Sequence, residues 1–234
     1  MTNFIPIDPR FLKSLERDSI RIPTLYYSNN LLVRHFFWQR LKFLFEMLEN
    51  NTNRRELVVD FGGGSGVFLP SLAQLFSNVV CIDAHTLEAE QVLQHFGLEE
   101  KVSVLKLIVG RDPLPSGLLH RADAVIAADV LEHFQDLSMC VDAVKSLLRA
   151  SGALFTSLPT ETLAYRTARR IFRVQAPDDH YHNARSVEAF LEESGFRKFA
   201  ARTIPFDQRL LPLFSIGGWQ MFLDDTFTTR SDQP

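Results

Sequence analysis

The sequence predicts an α/β protein on a doubly wound, seven-stranded and mostly parallel sheet, with an N-terminal helical arm and a helical insert after strand five. Three observations predict it. From Glu56 onward short apolar runs alternate with helical patterns. The early runs are continuous in Val, Ile, Leu and Ala, as in parallel strands covered on both faces. The first run feeds a glycine-rich turn that opens onto a helix. With 234 residues, 46% hydrophobic and 23% charged, the chain has an ordinary globular balance and enough length to bury a core.

The elements follow in order. Residues 56–61 (ELVVDF) read as strand one and 66–76 as a helix, with Pro70 early enough to be tolerated near its first turn. Residues 79–83 are strand two, and 86–97 a helix ended by Gly97. Strand three covers 102–109, strand four 122–129, and a helix 136–150. Strand five is 152–159, followed after the insert by a helix over 184–196. Residues 196–204 and 219–225 supply two late strands. The domain division is an arm or lid over 1–52, then a main domain over 53–234 with the insert at about 160–183.

Several function classes fall away. A net charge of −3 argues against a surface wholly devoted to nucleic acid. Cys81 and Cys140 form no metal-ligand spacing, so a reducing, cytoplasmic setting is expected. The first residues, MTNFIPIDPRFLKSLERD, lack the apolar centre of a signal peptide. The longest uncharged run, Phe61 to Ile82, is interrupted by four glycines and a proline and reads as no membrane span. Phenylalanine dominates the aromatics, 20 against 4 Tyr and 2 Trp, which suits an apolar pocket or plain core.

Two segments stand outside the alternation. Asn29 and Asn30 can cap a helix from Leu31 to about Asn50. On it His35, Gln39, Lys42, Glu46 and Glu49 share a narrow polar arc, and apolar residues fill most of the remaining girth. Such a helix docks on the sheet edge or roofs a pocket. In the insert, 161–175, Arg166, Arg169, Arg170 and Arg173 fall on one helical face. That stripe is a solvated face, or it meets an anionic substrate or an anionic membrane surface.

The chemistry sits at Asp60-Phe61-Gly62-Gly63-Gly64-Ser65-Gly66, between a strand and a helix. The dinucleotide frame G-x-G-x-x-G/A fails here, because Val67 or Leu69 stands where the third small residue belongs. No Gly-Lys-Ser/Thr follows, so a triphosphate loop is excluded as well. An acid two residues before the glycine run would repel a pyrophosphate, but it fits a cofactor bearing a cationic amino group. Asp83, at the end of strand two, can accept both hydroxyls of a ribose.

Together these residues resemble the S-adenosylmethionine site of the class I methyltransferases. Ala127-Ala128-Asp129-Val130-Leu131-Glu132-His133 is similar to the strand-four signature of the small-molecule branch. Leu148 to Ser157 resembles its helix–turn–strand five, and Gly110 to Pro115 the segment whose acid meets the adenine amino group. The resemblance covers roughly Glu56 to Phe196. It implies S-adenosyl-L-methionine as cofactor, held by Asp60, Gly62, Gly64, Gly66, Asp83, Ala84, Asp112, Ala128 and Asp129. It also implies a small-molecule acceptor, most readily methylated on oxygen, and no nucleic acid.

An alcohol or amine acceptor needs a base near neutral pH. His133 is the first candidate, and His180, in the run 178–182, the second. The ubiquinone-pathway O-methyltransferases are also similar, with a Leu-Glu-His run after strand four and a membrane-contacting insert after strand five. Their divalent-metal ligands would map onto Asp129, Glu132 and His133, but the first acid is Asp here rather than Glu, and no metal is expected. The alternatives are a cofactor-binding regulatory or scaffold protein, and a peripheral-membrane methyltransferase acting on a lipid-linked acceptor.

Overall fold

Strands run over Leu57–Phe61 (β1), Asn78–Asp83 (β2), Val102–Lys106 (β3), Ala122–Ala128 (β4), Leu148–Pro159 (β5), Phe196–Ile204 (β6) and Phe214–Met221 (β7). Helices run over Pro9–Leu15 (α1), Leu31–Asn51 (α2), Leu69–Leu75 (α3), Leu87–Phe96 (α4), Leu137–Leu147 (α5) and Ala184–Glu193 (α6). The computed structural model describes residues 2–15, 24–162, 180–205 and 212–222, together with Thr167 and Arg170. The last two are helical and exposed. Arg166, Arg169 and Arg173, the rest of the expected stripe, lie outside the described residues. No helix among the described residues is long and apolar enough to cross a membrane.

The sheet has the order β3-β2-β1-β4-β5-β7-β6. β1 to β5 pair in parallel, and β7 inserts antiparallel between β5 and β6. Continuous apolar strands are buried on both faces. Val58, Val79, Ala124 and Ile126 join one core with the arm, α3 and α4. Val59, Val80, Val125 and Ala127 join the other with α5 and α6. Sequence order reverses direction between β1 and β4, and at such a switch point the carboxyl ends of neighbouring strands leave a crevice.

Several boundaries differ from the sequence reading, β5 among them, which starts at Leu148 rather than at 152. The helix expected from Gly66 starts at Leu69, because Gly62, Gly64 and Gly66 take positive φ and carry the chain through a turn first. β3 stops at Lys106 rather than Val109, since the Ile108 amide donates to Asp112 Oδ2 at 2.8 Å and closes a turn. β7 begins at Phe214, five residues before the expected start, and its register with β5 runs from Phe214 to Gln220. Between β4 and α5, His133 ends a single 3-10 turn, Leu131–His133. α5 follows at Leu137, capped by Asp136.

The arm shares the main core. The Asn30 side chain accepts the Leu32 and Val33 amides and starts α2. The helix then lies against β5, β6, β7 and α3. Arg202 Nη1 donates to Glu46 Oε2 at 2.7 Å, tying it to β6. Ahead of it, Leu12 and Leu15 of α1 are buried, and the Ile5 amide donates to Ser71 Oγ at 2.9 Å.

The glycine turn is sterically committed. Gly62 has φ +71°, and a Cβ there would lie 2.2 Å from Val130 Cγ2. Gly66 has φ +70°, and a Cβ there would meet Ala89 Cα at 2.9 Å. Gly62→Ala should therefore cost about 2–4 kcal/mol in a denaturant titration, combining left-handed strain with overpacking. Gly97→Ala, at φ +61° with no atom within 4 Å of the added carbon, is the control. It should lose about 1–2 kcal/mol, from backbone strain alone.

Candidate active site

A cleft of about 500 Å³ opens at the switch point. Its floor is the turn after β1, one wall the tip of β2 and the start of α4, the other the tip of β4, and its roof the arm. A larger cleft of about 760 Å³ lies at the opposite, amino-terminal edge of the strands, beside Arg54, Lys101 and Arg121. Parallel sheets bind ligands at their carboxyl edge, where loops rather than strand starts converge, so the smaller cleft is the candidate.

Of the expected cofactor residues, Gly62, Gly64, Asp83, Ala128 and Asp129 line this cleft. Asp83 is already partly engaged: Oδ2 accepts the Gly64 amide at 2.9 Å and Oδ1 the His85 amide at 2.9 Å. Each oxygen keeps a lone pair for a further donor such as a ribose hydroxyl. Gly66 supports the turn from behind, seated on Ala89 of α4. Ala84 follows Asp83, half-buried and outside the lining. Asp112 is not brought to the cleft; it is exposed, and its carboxylate caps the Ile108 amide.

Asp60 lies beneath the floor, 3% exposed, and its Oδ2 has no hydrogen-bond partner among the described residues. Burial, reinforced by the charge of Asp83, pushes its pKa up to about 7. A buried carboxyl oxygen left without a donor, next to a turn of bare backbone, suits a ligand that brings a positive charge. The residues present therefore fit the cationic cofactor that the resemblance implies.

The sequence reading missed Arg40 and Tyr26. Arg40 lies on α2, 2% exposed, and its Nη1 forms an ion pair with Asp129 Oδ2 at the tip of β4. Its Nη2 donates to the Tyr26 hydroxyl at 2.5 Å, and burial raises the pKa of that phenol. The guanidinium carbon lies 4.7 Å from the Phe37 ring centre and 5.2 Å from that of Phe214. The available signal was a lone cation among Phe36, Phe37, Leu41 and Leu44, away from the polar arc of the helix. Glu88, 3% exposed, and His85 also line the cleft.

Both candidate bases come together. His133 lines the cleft, and the ring of His180 meets it edge-on, with centroids 4.7 Å apart. The Glu132 carbonyl accepts the Tyr181 amide at 2.9 Å and the His182 amide at 3.3 Å, docking the chain after the insert onto the β4 tip. Glu132, His133 and His180 each offer a ligating atom, all within 4.8 Å of one another. Of the metal set implied by the resemblance, Glu132 and His133 come together with His180, while Asp129 Oδ2 pairs with Arg40.

The sequence model for the methyltransferase domain matches residues 33–200, most of the chain. The chain belongs to the methyltransferase-domain family. Its fold is that of the class I S-adenosylmethionine-dependent methyltransferases. It is 34% identical over 107 residues to the ubiquinone biosynthesis O-methyltransferase of Xylella fastidiosa (strain 9a5c), covering 46% of this chain and 43% of that protein. The chain thus matches less than half the length of that relative. The magnesium protoporphyrin IX methyltransferase of Synechocystis PCC 6803 with bound SAH is similar in structure at TM-score 0.66 and 20% identity, over 92% of this chain and 98% of that one. The N-methyltransferase NodS of Bradyrhizobium japonicum WM9 in complex with S-adenosyl-L-homocysteine gives 0.65 at 17%, over 90% and 97%.

Asp60 is buried and the Asp129 side chain is 25% exposed, and the two behave differently in this methyltransferase-family site. Folded Asp60 keeps its proton at pH values where the unfolded chain, with an ordinary pKa of ~4, has released it. Asp60 therefore costs stability progressively as pH rises from about 4 to 7, on the order of 1 kcal/mol per pH unit. Asp60→Asn should flatten the fall in melting temperature over that interval, measured by calorimetry across pH. Asp129→Asn strands a buried guanidinium instead, and should cost about 3–5 kcal/mol in denaturant titrations.

Proposed function

We propose that the chain binds S-adenosyl-L-methionine in the switch-point cleft and transfers its methyl group to a small-molecule acceptor, on oxygen. The observation that carries this is a glycine-rich turn that brings Asp83 to the crevice above the Asp60 oxygen, which has no hydrogen-bond partner among the described residues. When bound, S-adenosylmethionine supplies a methyl carbon activated by a positively charged sulfur that leaves as a neutral thioether.

The chain's own residues then do the rest. Asp83 accepts the ribose hydroxyls while keeping the Gly64 amide in register. Arg40 and Asp129, a cation and an anion side by side, match the carboxylate and ammonium of an amino-acid end. Asp60 beneath the turn offers a carboxyl oxygen toward that ammonium, whose positive charge favours the ionised form of the acid. Tyr26 and α2 roof the cleft and exclude water, serving as the lid. His133 and His180 form the pair that receives the acceptor's proton. Oxygen is favoured because the relative at 34% identity is named an O-methyltransferase, whereas the N-methyltransferase NodS is similar at only 17%.

Titration calorimetry should show micromolar binding of S-adenosylmethionine, weakened by about 1.5–3 kcal/mol in Asp83→Ala, the scale of a charge-assisted hydrogen bond. The His133→Ala/His180→Ala double variant should keep that affinity. Its transfer of labelled methyl to acceptors in cell extract should fall by about 10²–10⁴-fold. No cofactor binding by the intact protein would remove the proposal.

A further inference from the structure

We propose that Glu88 is a cofactor-binding residue that shares the ribose diol with Asp83, each carboxylate accepting one hydroxyl. This rests on the cofactor reading above and divides between two acids the hydroxyls assigned there to Asp83 alone.

Glu88 is the second residue of α4 and only 3% exposed, and it lines the cleft. Among the described residues its carboxylate has no hydrogen-bond or ion-pair partner. Taking a carboxylate out of water without a donor is costly, so an acid held this way suits a ligand that brings one. Acids in a first helical turn also favour the helix dipole, but that role needs no burial. Glu90, in the same turn, serves it from an exposed position. The start of α4 is seated firmly, because Gly66 of the glycine turn packs against Ala89, the residue after Glu88.

The wall that Glu88 shares decides which donor suits it. Asp83 stands on the same wall, at the tip of β2. Each Asp83 oxygen already accepts one backbone amide, from Gly64 and from His85, and keeps one lone pair. The opposite wall matches the amino-acid end through Arg40 and Asp129. Asp112, the acid expected at the adenine amino group, is taken up by the Ile108 amide and lies outside the lining. What faces the wall of β2 and α4 is therefore the vicinal diol, two hydroxyls with one proton each to donate, against two carboxylates. With one hydroxyl on each acid, Glu88 gains the donor that its burial calls for, and Asp83 takes one further donor rather than two.

No covalent bond changes in this contact; its consequence is selectivity. A nucleoside that lacks either hydroxyl leaves one acid of the wall without a donor, and a site built to hold a hydroxyl rejects the analogue that lacks it. The cleft is thereby specific for a ribonucleoside with both hydroxyls free.

The test is titration calorimetry on the full chain with S-adenosylhomocysteine and its 2′-deoxy and 3′-deoxy analogues. The neutral thioether separates hydrogen bonding from attraction to the positive sulfur of the donor. Glu88→Leu should weaken S-adenosylhomocysteine about 10–100-fold, and Glu88→Gln, whose amide oxygen still accepts, about 3–10-fold. One deoxy analogue, lacking the hydroxyl that Glu88 holds, should bind wild type and Glu88→Leu within about twofold of each other. The other should lose the full factor in Glu88→Leu, as S-adenosylhomocysteine does. Equal losses for all three ligands overturn the inference, because Glu88 then acts without touching a hydroxyl. A Glu88→Leu variant that weakens S-adenosylmethionine and leaves S-adenosylhomocysteine unchanged also overturns it, assigning the acid to the sulfur charge. Should Glu88→Leu not fold, the same comparison in Glu88→Gln decides. Wild-type binding with Glu88 indifferent fails this inference alone, whereas a wild type that binds neither cofactor form fails the parent reading and this inference with it.

Discussion

The site depends on a backbone approach that tolerates no side chain. The turn after β1 passes so close to the β4 tip that Gly62 faces Val130 with no room for a Cβ. Gly66 meets α4 in the same way. These contacts let the turn lie flat across the switch point, with the Gly64 amide delivered to Asp83. The carboxylate of β2, the turn of β1 and the tip of β4 are thereby locked to one another before any ligand arrives. Preorganisation of this kind means that the ordering cost is met during folding rather than on binding.

The second constraint is electrostatic, and it joins the arm to the sheet. Burying a guanidinium is costly unless it is paired and hydrogen-bonded. Arg40 meets that condition through Asp129, the Tyr26 hydroxyl and neighbouring aromatic rings. Because the arm carries the cation and β4 the anion, α2 is registered on the crevice by charge as well as by its apolar faces. Asp129 has φ +52°, another left-handed residue at the crevice. Strain gathers there.

Much of the fold was legible because the patterns involved are local. Continuous apolar strands announce a sheet buried on both faces, and Val58 and Val59 do enter opposite cores. The Asn30 cap starts its helix and the αL Gly97 ends its own, as residues of those types do. The glycine turn and Asp83 were readable from chemistry at fixed spacing. What escaped was long-range. The start of β7 is set by pairing with β5, which no window of sequence contains. Asp112 looked free for a ligand, but its Oδ2 closes a turn on the Ile108 amide, four residues earlier. Arg40 is separated from Asp129 by most of the sheet in sequence, and only tertiary packing gives it a role.

The charges around the crevice also bear on how such a site can accelerate transfer. Asp83, Glu88 and Asp129 line it against the single guanidinium of Arg40, leaving an excess of negative charge that favours a cationic donor. Binding the donor's charge is not catalysis, because the positive charge on sulfur fades as the transition state forms. Carboxylates aimed at the sulfur would hold the ground state too well. Here the acids are engaged elsewhere: Asp83 by the Gly64 and His85 amides, Asp129 by Arg40, and Asp60 beneath the turn, largely protonated below pH 7. Negative potential is thus directed to the ends of the donor that do not react. In the proposed reaction the reacting end is left to the histidine pair, where charge develops on the acceptor as its proton departs.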